Sequence, residues 1–297
     1  MYLDPMDEDP DDAYPVSPML GLDTLWFQVS GTLCNLACTH CFISCSPGNR
    51  SHGMLDLATV ERYLREGERL GVRESYFTGG EPFLNSDILP ILKAALRRGP
   101  ATVLTNGTLI GASMAGRLKA LSDASPYSLD IRVSLDGLDA ESNDAIRGQG
   151  SFRRILEGLG HLARAGMHPV VTATEVCADL ETPAGRERLV AMLRSLGLEK
   201  PRVKILPVLR LGAEAKRNLG LAPEESLRGW DLDGEALAAL QCSSGRMVTS
   251  RGVYVCPILI DHGEARMGSD LEETLRPFPL RHKACHTCHA TGLNCRT

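Results

Sequence analysis

Cys34, Cys38 and Cys41 stand in the spacing C-x3-C-x2-C within GTLCNLACTHCFISC, residues 31–45, and Cys45 follows four residues later. Three thiolates on so short a loop can ligate three irons of a 4Fe-4S cubane and leave the fourth iron open to a substrate or cofactor. The same stretch could instead close a structural zinc tetrahedron, with Cys45 as the fourth thiolate. A second set, Cys242, Cys256, Cys285, Cys288 and Cys295, holds five of the ten cysteines. Between the two sets lies YFTGGEPFL, residues 76–84. There Gly79 and Gly80 permit close backbone approach, Pro82 fixes the turn and Glu81 puts a carboxylate at the end of a strand. Ligands of parallel α/β sheets and barrels collect at that C-terminal edge.

Short β-rich runs must position these groups: LWFQVS (25–30), ESYFTG (74–79), ATVLTN (101–106), LDIRVSLD (129–136), HPVVTATEV (168–176) and PRVKILPV (201–208). Amphipathic stretches separate them. DLATVERYLREGERLG (56–71) sets Val60, Tyr63 and Leu64 at helical spacing, and similar patterns recur at 86–98, 111–122, 151–166 and 185–197. Gly71, Gly166 and Gly197 stand where helices end. Strands alternating with helices imply an α/β fold with a parallel sheet and right-handed crossovers, either open or curled into a partial barrel. The rhythm stops near residue 212. This predicts an acidic disordered leader over 1–22, the α/β unit over 23–212, a linker with helices over 213–241 and a cysteine-rich extension over 242–297. MVTSRGVYVCP (247–257) reads as a hairpin turning near Ser250 to Gly252. The extension has too few apolar residues for a core of its own, so a metal centre or the main unit must order it.

Hydrophobic residues make up 43% of the 297 and charged residues 23%, which marks a globular chain, and no apolar run approaches the roughly 20 residues of a membrane span. No basic-then-apolar signal pattern opens the sequence, so a reducing, cytoplasmic setting is expected, where clustered cysteines mean metal or redox chemistry. The net charge of −5 is local: the first fourteen residues hold six acids and no base, leaving 31 acids against 32 bases elsewhere. A nearly neutral body argues against a nucleic-acid partner, which calls for a basic surplus.

The C-x3-C-x2-C loop after the first strand and the GGEP segment after the second resemble those of the radical S-adenosylmethionine (SAM) superfamily, in the same order and separation, and the resemblance spans most of residues 24–210. It implies a partial (β/α)6 TIM-like barrel in which Cys34, Cys38 and Cys41 hold a 4Fe-4S cluster whose open iron chelates the amino and carboxylate groups of SAM. Gly79, Gly80, Glu81 and Pro82 would then meet the methionyl amino group. In VSLDG, Ser134 and Asp136 fall where the family places polar groups on the SAM ribose or carboxylate, and Arg147 falls where related members carry a basic residue near that carboxylate. Asn106, in LTNGTLI, matches the end of the family's third strand. His40 occupies a position where the family favours an aromatic against the adenine. Each of these also has an ordinary structural reading: Ser134 and Asp136 as helix caps, Arg147 as a surface ion pair, Asn106 as part of a turn and His40 as packing.

The extension resembles the SPASM and twitch extensions of radical SAM enzymes, which hold auxiliary 4Fe-4S clusters. A full SPASM domain has seven cysteines and two clusters, and five thiols cannot close two. The resemblance therefore implies one auxiliary cluster on Cys242, Cys256, Cys285 and Cys288, with Cys295 spare or an alternative ligand; a zinc ribbon is the other reading.

By resemblance, such an enzyme accepts an electron from a donor such as flavodoxin or ferredoxin, cleaves SAM reductively to a 5′-deoxyadenosyl radical and abstracts hydrogen from its substrate. Peptide maturases of the family carry an N-terminal leader-binding module, for which a first strand near residue 25 leaves no room. That favours a small-molecule substrate, with a peptide or protein as the alternative. A non-enzymatic iron-sulfur or zinc protein would explain both cysteine sets but gives no reason for Glu81.

Overall fold

The computed structural model describes residues 13–292. Its elements in chain order are β1 (Val16–Ser17), β2 (Thr24–Gln28), α1 (Leu57–Arg69), β3 (Glu74–Thr78), α2 (Ile88–Ala95), β4 (Ala101–Thr105), α3 (Ala112–Asp123) and β5 (Leu129–Ser134). There follow α4 (Ala140–Arg147), α5 (Ser151–Arg164), β6 (Val170–Thr174), α6 (Pro183–Ser195), β7 (Arg202–Leu206), α7 (Gly212–Arg217) and α8 (Gly234–Ala239). The chain closes with β8 (Gly245–Thr249), β9 (Gly252–Tyr254), β10 (Arg266–Gly268), β11 (Phe278–Pro279) and α9 (Lys283–Thr291).

Nine strands form one sheet in the order β10-β9-β8-β2-β3-β4-β5-β6-β7. From β8 to β7 every pairing is parallel. Strands β2 to β7 lie side by side in chain order, the winding of a (β/α) barrel, and the sheet is not closed. The all-parallel part is covered by helices as such sheets must be. On α1, Val60, Tyr63, Leu64 and Gly67 make the buried stripe, the Asp56 carboxylate caps the first turn by accepting from the Thr59 amide at 2.8 Å, and Gly71 turns the chain out with φ +87°.

Strand alternation sorts side chains between two faces. Leu25 and Phe27 of β2, Phe77 of β3, Val103 of β4 and Val171 of β6 enter the core beneath the helices. Trp26, Tyr76 and Met247 join a second core on the opposite face. Each face carries an in-register aromatic pair, Trp26 on Tyr76 with centroids 4.3 Å apart and Phe27 on Phe77 at 5.3 Å. Such stacking contributes about 0.5–1.5 kcal/mol per pair beyond area burial and fixes the β2–β3 register.

The sequence-based scheme meets two differences. Residues 13–22, placed in the leader, contain β1, which pairs antiparallel with β11, and bury Tyr14 and Leu22. The remaining leader residues, 1–12, lie outside the described ones. The hairpin β8–β9 turns between Thr249 and Gly252, and β8 extends the main sheet by pairing in parallel with β2. Val255, Leu259, Ile260 and Leu280 accordingly share a core with Trp26 and Tyr76. Among the described residues no helix is long and apolar enough to cross a membrane.

Candidate active site

The cysteine loop leaves the end of β2 and returns beside it. Leu33 and Ser46 form a parallel bridge at its neck, and the Cys34 amide donates to the Ser46 carbonyl at 3.2 Å. Its far side is pinned from two directions: the Thr39 amide donates to the Ile146 carbonyl of α4, and the Ala213 amide of α7 donates to the Cys41 carbonyl, each at 2.9 Å. Within the loop, Cys34 Sγ accepts from the Leu36 amide at 3.4 Å and Cys41 Sγ from the Cys45 amide at 3.3 Å. Burial pushes the Cys34 thiol up to about 12, whereas hydrogen bonding from the Cys45 thiol draws Cys41 down to about 6. Cys45, buried beside Cys41, is held strongly upward by that same bond.

Gly79 and Gly80 lie flat against this loop. The Gly80 amide donates to the Gly31 carbonyl at 2.9 Å and the Glu81 amide to the Leu33 carbonyl at 3.0 Å. A Cβ on Gly80 would stand 2.1 Å from the Leu33 oxygen, and one on Gly79, where φ is +143°, 2.3 Å from Ser30 Oγ. Only glycine fits both places. Pro82 opens a short 3₁₀ turn for which Glu81 is the cap. The Glu81 carboxylate is fully buried. Oε1 accepts from Thr105 Oγ1 at 2.7 Å and the Phe83 amide at 3.1 Å, and Oε2 accepts from the Asn106 amide at 2.8 Å. Burial outweighs those donors and raises its carboxyl to about 7.

Across the site, Asp136 is also fully buried. Its Oδ1 accepts from the Thr174 amide at 2.7 Å and the Thr174 hydroxyl at 2.8 Å. Arg147 NH2 lies 2.6 Å from Oδ2 and His40 Nε2 2.9 Å from it. Burial alone would raise the Asp136 carboxyl, but the Arg147 guanidinium, then His40, hold it well below the usual range. His40 and Asp136 thus tie the cysteine loop to the β5 end, and Arg147 at the end of α4 closes the group.

These elements surround a cleft of about 260 Å³ on the inner face of the sheet. Cys34, Cys38, Cys41, His40, Gly79, Gly80, Asn106, Ser134 and Arg147 of the sequence-derived set line it. Glu81, Pro82 and Asp136 are not among its lining residues; the carboxylates of Glu81 and Asp136 are buried at its edge. Sequence reasoning missed Arg132, Thr172 and Lys204, which also line the cleft from β5, β6 and β7. Ser134, Thr172 and Lys204 are neighbours in register across those strands. The signal available was a polar residue at an inward-alternating position of an otherwise apolar strand.

The second cysteine set converges too. Cys242, Cys256, Cys285 and Cys288 line one small pocket of about 30 Å³. Burial, then the neighbouring Cys242, Cys288 and Cys256, push the Cys285 thiol far up. Beside them Arg246, 1% exposed, gives its hydrogen bonds to the carbonyls of Cys242, Gly245, Thr274 and Arg276. Ile258 lines both this pocket and the cleft. Cys295 lies outside the described residues. Among the described residues no three of His, Cys, Asp and Glu are grouped as for a metal ion.

An open-sided parallel barrel with a three-cysteine loop facing a glycine wall defines the class, and residues 29–204 match the Radical SAM superfamily. The chain belongs to that superfamily and is an enzyme of it. Over 134 residues it is 39% identical to the mycofactocin maturase MftC of Mycobacterium ulcerans, covering 45% of this chain and 34% of that protein. Over 150 residues it is 33% identical to the GTP 3′,8-cyclase of Pectobacterium atrosepticum, covering 50% of this chain and 45% of that one. The chain thus spans less than half the length of these relatives. In fold it is similar to Streptococcus suis SuiB bound to precursor peptide SuiA, with TM-score 0.66 and 18% identity over 89% of this chain and 66% of that one. It is also similar to anSMEcpe with bound AdoMet, with TM-score 0.61 and 16% identity over 89% and 82%.

Membership implies a 4Fe-4S cluster and SAM, and the residues present fit them. Three thiols line a cleft that Arg147 also lines, with a buried Nε that has no hydrogen-bond partner. Polar groups this deeply buried call for a polar ligand or a counter-charge.

Proposed function

We propose that Cys34, Cys38 and Cys41 hold the cluster that cleaves SAM, and that Cys242, Cys256, Cys285 and Cys288 hold one auxiliary 4Fe-4S cluster. When bound, the first cluster delivers one electron to SAM and generates the 5′-deoxyadenosyl radical that removes hydrogen from the substrate. The chain orients the partners. Gly79 and Gly80 bring main-chain groups against the methionyl end, Arg147 takes the SAM carboxylate, and Ser134 meets the ribose. His40 stands against the nucleoside with its ring turned by Asp136. Glu81 Oε2 accepts a single hydrogen bond from the protein and has a position left for the methionyl ammonium.

The single observation that carries the auxiliary cluster is the meeting of four thiols in one pocket walled from the cleft by Ile258. Arg246 supports it: a buried guanidinium bonded only to carbonyls would be charge-compensated by metal-bound thiolates at Cys242 and Cys256. A cluster held there shares the Ile258 wall with the cleft, and its role in this reading is to accept an electron from the substrate. A SPASM- or twitch-like extension over 242–297, joined through the segment 213–241 to the barrel over 23–212, describes this arrangement.

A small molecule is the first reading of the substrate, for which Arg132, Thr172 and Lys204 offer polar contacts along the cleft. A peptide is the second, favoured by relatives that include a maturase and by a fold neighbour bound to a precursor peptide. Flavodoxin or ferredoxin is the class of electron donor. The test is to incubate the anaerobic reconstituted enzyme with SAM, dithionite and size-fractionated cell extract, and to follow 5′-deoxyadenosine. Stimulation confined to a fraction below about 1 kDa and insensitive to protease supports the small molecule; stimulation abolished by protease supports the peptide.

A further inference from the structure

Asn106, Asn35 and Thr108 form a closed ring of hydrogen bonds at the rim of the cysteine loop. Asn106 Nδ2 donates to Asn35 Oδ1 at 2.9 Å, Asn35 Nδ2 donates to Thr108 Oγ1 at 2.8 Å, and Thr108 Oγ1 donates to Asn106 Oδ1 at 2.7 Å. The Thr108 amide also donates to Asn106 Oδ1, at 3.0 Å. The rotation of the Asn106 carboxamide is therefore fixed. Turned over, it would set an NH₂ against the Thr108 amide and an oxygen against Asn35 Oδ1. With Oδ1 committed to Thr108 and one N–H to Asn35, the other N–H of Nδ2 faces Cys34 Sγ, 3.7 Å away. The backbone is held as firmly, because the Asn106 amide donates to Glu81 Oε2. The residue is 7% exposed, so water does not compete strongly for that N–H.

We propose that Asn106 is a positioning residue for the first cluster. It does not ligate SAM; its side-chain N–H stabilises the cluster's sulfur ligand at Cys34 and so raises the cluster's reduction potential. Hydrogen bonds to ligand sulfur favour the more negative, reduced state of an iron-sulfur cluster, and partners of this kind set the potential within a cluster type. Two backbone donors, Leu36 on Cys34 and Cys45 on Cys41, act the same way, but the Asn106 donor is on a side chain and can be removed without altering the backbone of the loop. Because Glu81 fixes the Asn106 backbone, the GGEP segment bears on the electron affinity of the cluster as well as on the cofactor.

This rests on the reading that Cys34 ligates the SAM-cleaving cluster. The test is a redox titration, followed by electron paramagnetic resonance, of the anaerobically reconstituted full-length protein. It reads the reduced-cluster signal that changes when SAM is added, with iron content and SAM affinity measured on the same samples. Asn106→Ala should lower the equilibrium constant for one-electron reduction about tenfold, a negative shift of about 59 mV, with SAM affinity within twofold of wild type. Asn106→Asp, which keeps the acceptor and turns an oxygen toward the sulfur, should move the potential further in the same direction. Thr108→Val, which breaks the ring and leaves Asn106 in place, should give a smaller negative shift. If Asn106→Ala loses the cluster, the Thr108→Val shift decides. An unchanged or more positive potential at normal iron content overturns the proposal, as does an unchanged potential with weakened SAM binding, which would make Asn106 a SAM ligand. If the SAM-responsive signal survives in Cys34→Ala, the ligand reading itself falls, and the proposal with it.

Discussion

Arg147 NH2 lies 2.6 Å from Asp136 Oδ2, and both side chains are withdrawn from solvent, at 8% and 0% exposure. A pair this deep is worth more to the site's architecture than to its net stability, but removing one partner strands the other. Asp136→Asn should destabilise the protein by about 3–5 kcal/mol in guanidinium unfolding. The folded Asp136 carboxyl titrates below its ordinary value, so the pair's contribution is present above about pH 4 and is lost as pH falls through the depressed value. The wild-type advantage should therefore shrink in acid. An advantage that is absent at neutral pH, or that grows on acidification, contradicts the pairing.

Glu81 gives the opposite titration. Its carboxyl is raised to about 7 by burial, so below that pH the free protein holds it neutral and without the charge an ammonium seeks. SAM affinity of the cluster-loaded enzyme, measured by anaerobic equilibrium dialysis, should weaken as pH falls below 7, approaching about tenfold per unit. Glu81→Gln should be nearly flat with pH and weaker than wild type above pH 7 by roughly ten- to a hundredfold, that is about 1.5–3 kcal/mol. Equal affinity in both proteins at pH 8 would leave Glu81 as a purely structural clamp.

Iron content separates the two cysteine sets. The reconstituted protein should bind about eight irons, roughly four per cubane, and the triple variant Cys34→Ala/Cys38→Ala/Cys41→Ala about half of that. Complete loss in the triple variant would mean that the tail cluster does not form independently.

Cys256→Ala tests what the tail does. Its pocket is separate from the cysteine loop, so the variant should still make 5′-deoxyadenosine with dithionite and yet fail to convert a stimulating substrate fraction. Loss of SAM cleavage would make the tail structurally part of the first site. Normal turnover would reduce the second set to a structural metal.

Much of this was legible in the sequence because it is local. The six barrel strands and the helices read from hydrophobic period all form, since Val60, Tyr63 and Leu64, or Leu25 and Phe27, each face the core that their spacing implies. Helix α4 escaped because its buried residues are Asn143 and Arg147, with no apolar stripe to betray it. What held it was the Asp139 cap on the Ser142 amide and the pull of Asp136 on Arg147. The pairing of β8 with β2 joins Thr24 to Gly245, and no local pattern encodes a contact so distant in sequence. In the site, residue type and strand position placed Glu81 and Asp136 at the correct sheet edge. That their carboxylates are buried and held, by Thr105 and Asn106 in one case and by Thr174 and Arg147 in the other, depends on partners from other loops.

The most direct test of the whole account is reductive SAM cleavage by the three-cysteine loop. Anaerobic wild-type protein with SAM and dithionite should yield 5′-deoxyadenosine and methionine in equal amounts, and Cys34→Ala, prepared and reconstituted alongside, should yield none above the protein-free control. Equal product from wild type and Cys34→Ala, or no product from wild-type protein carrying its full iron, would contradict it.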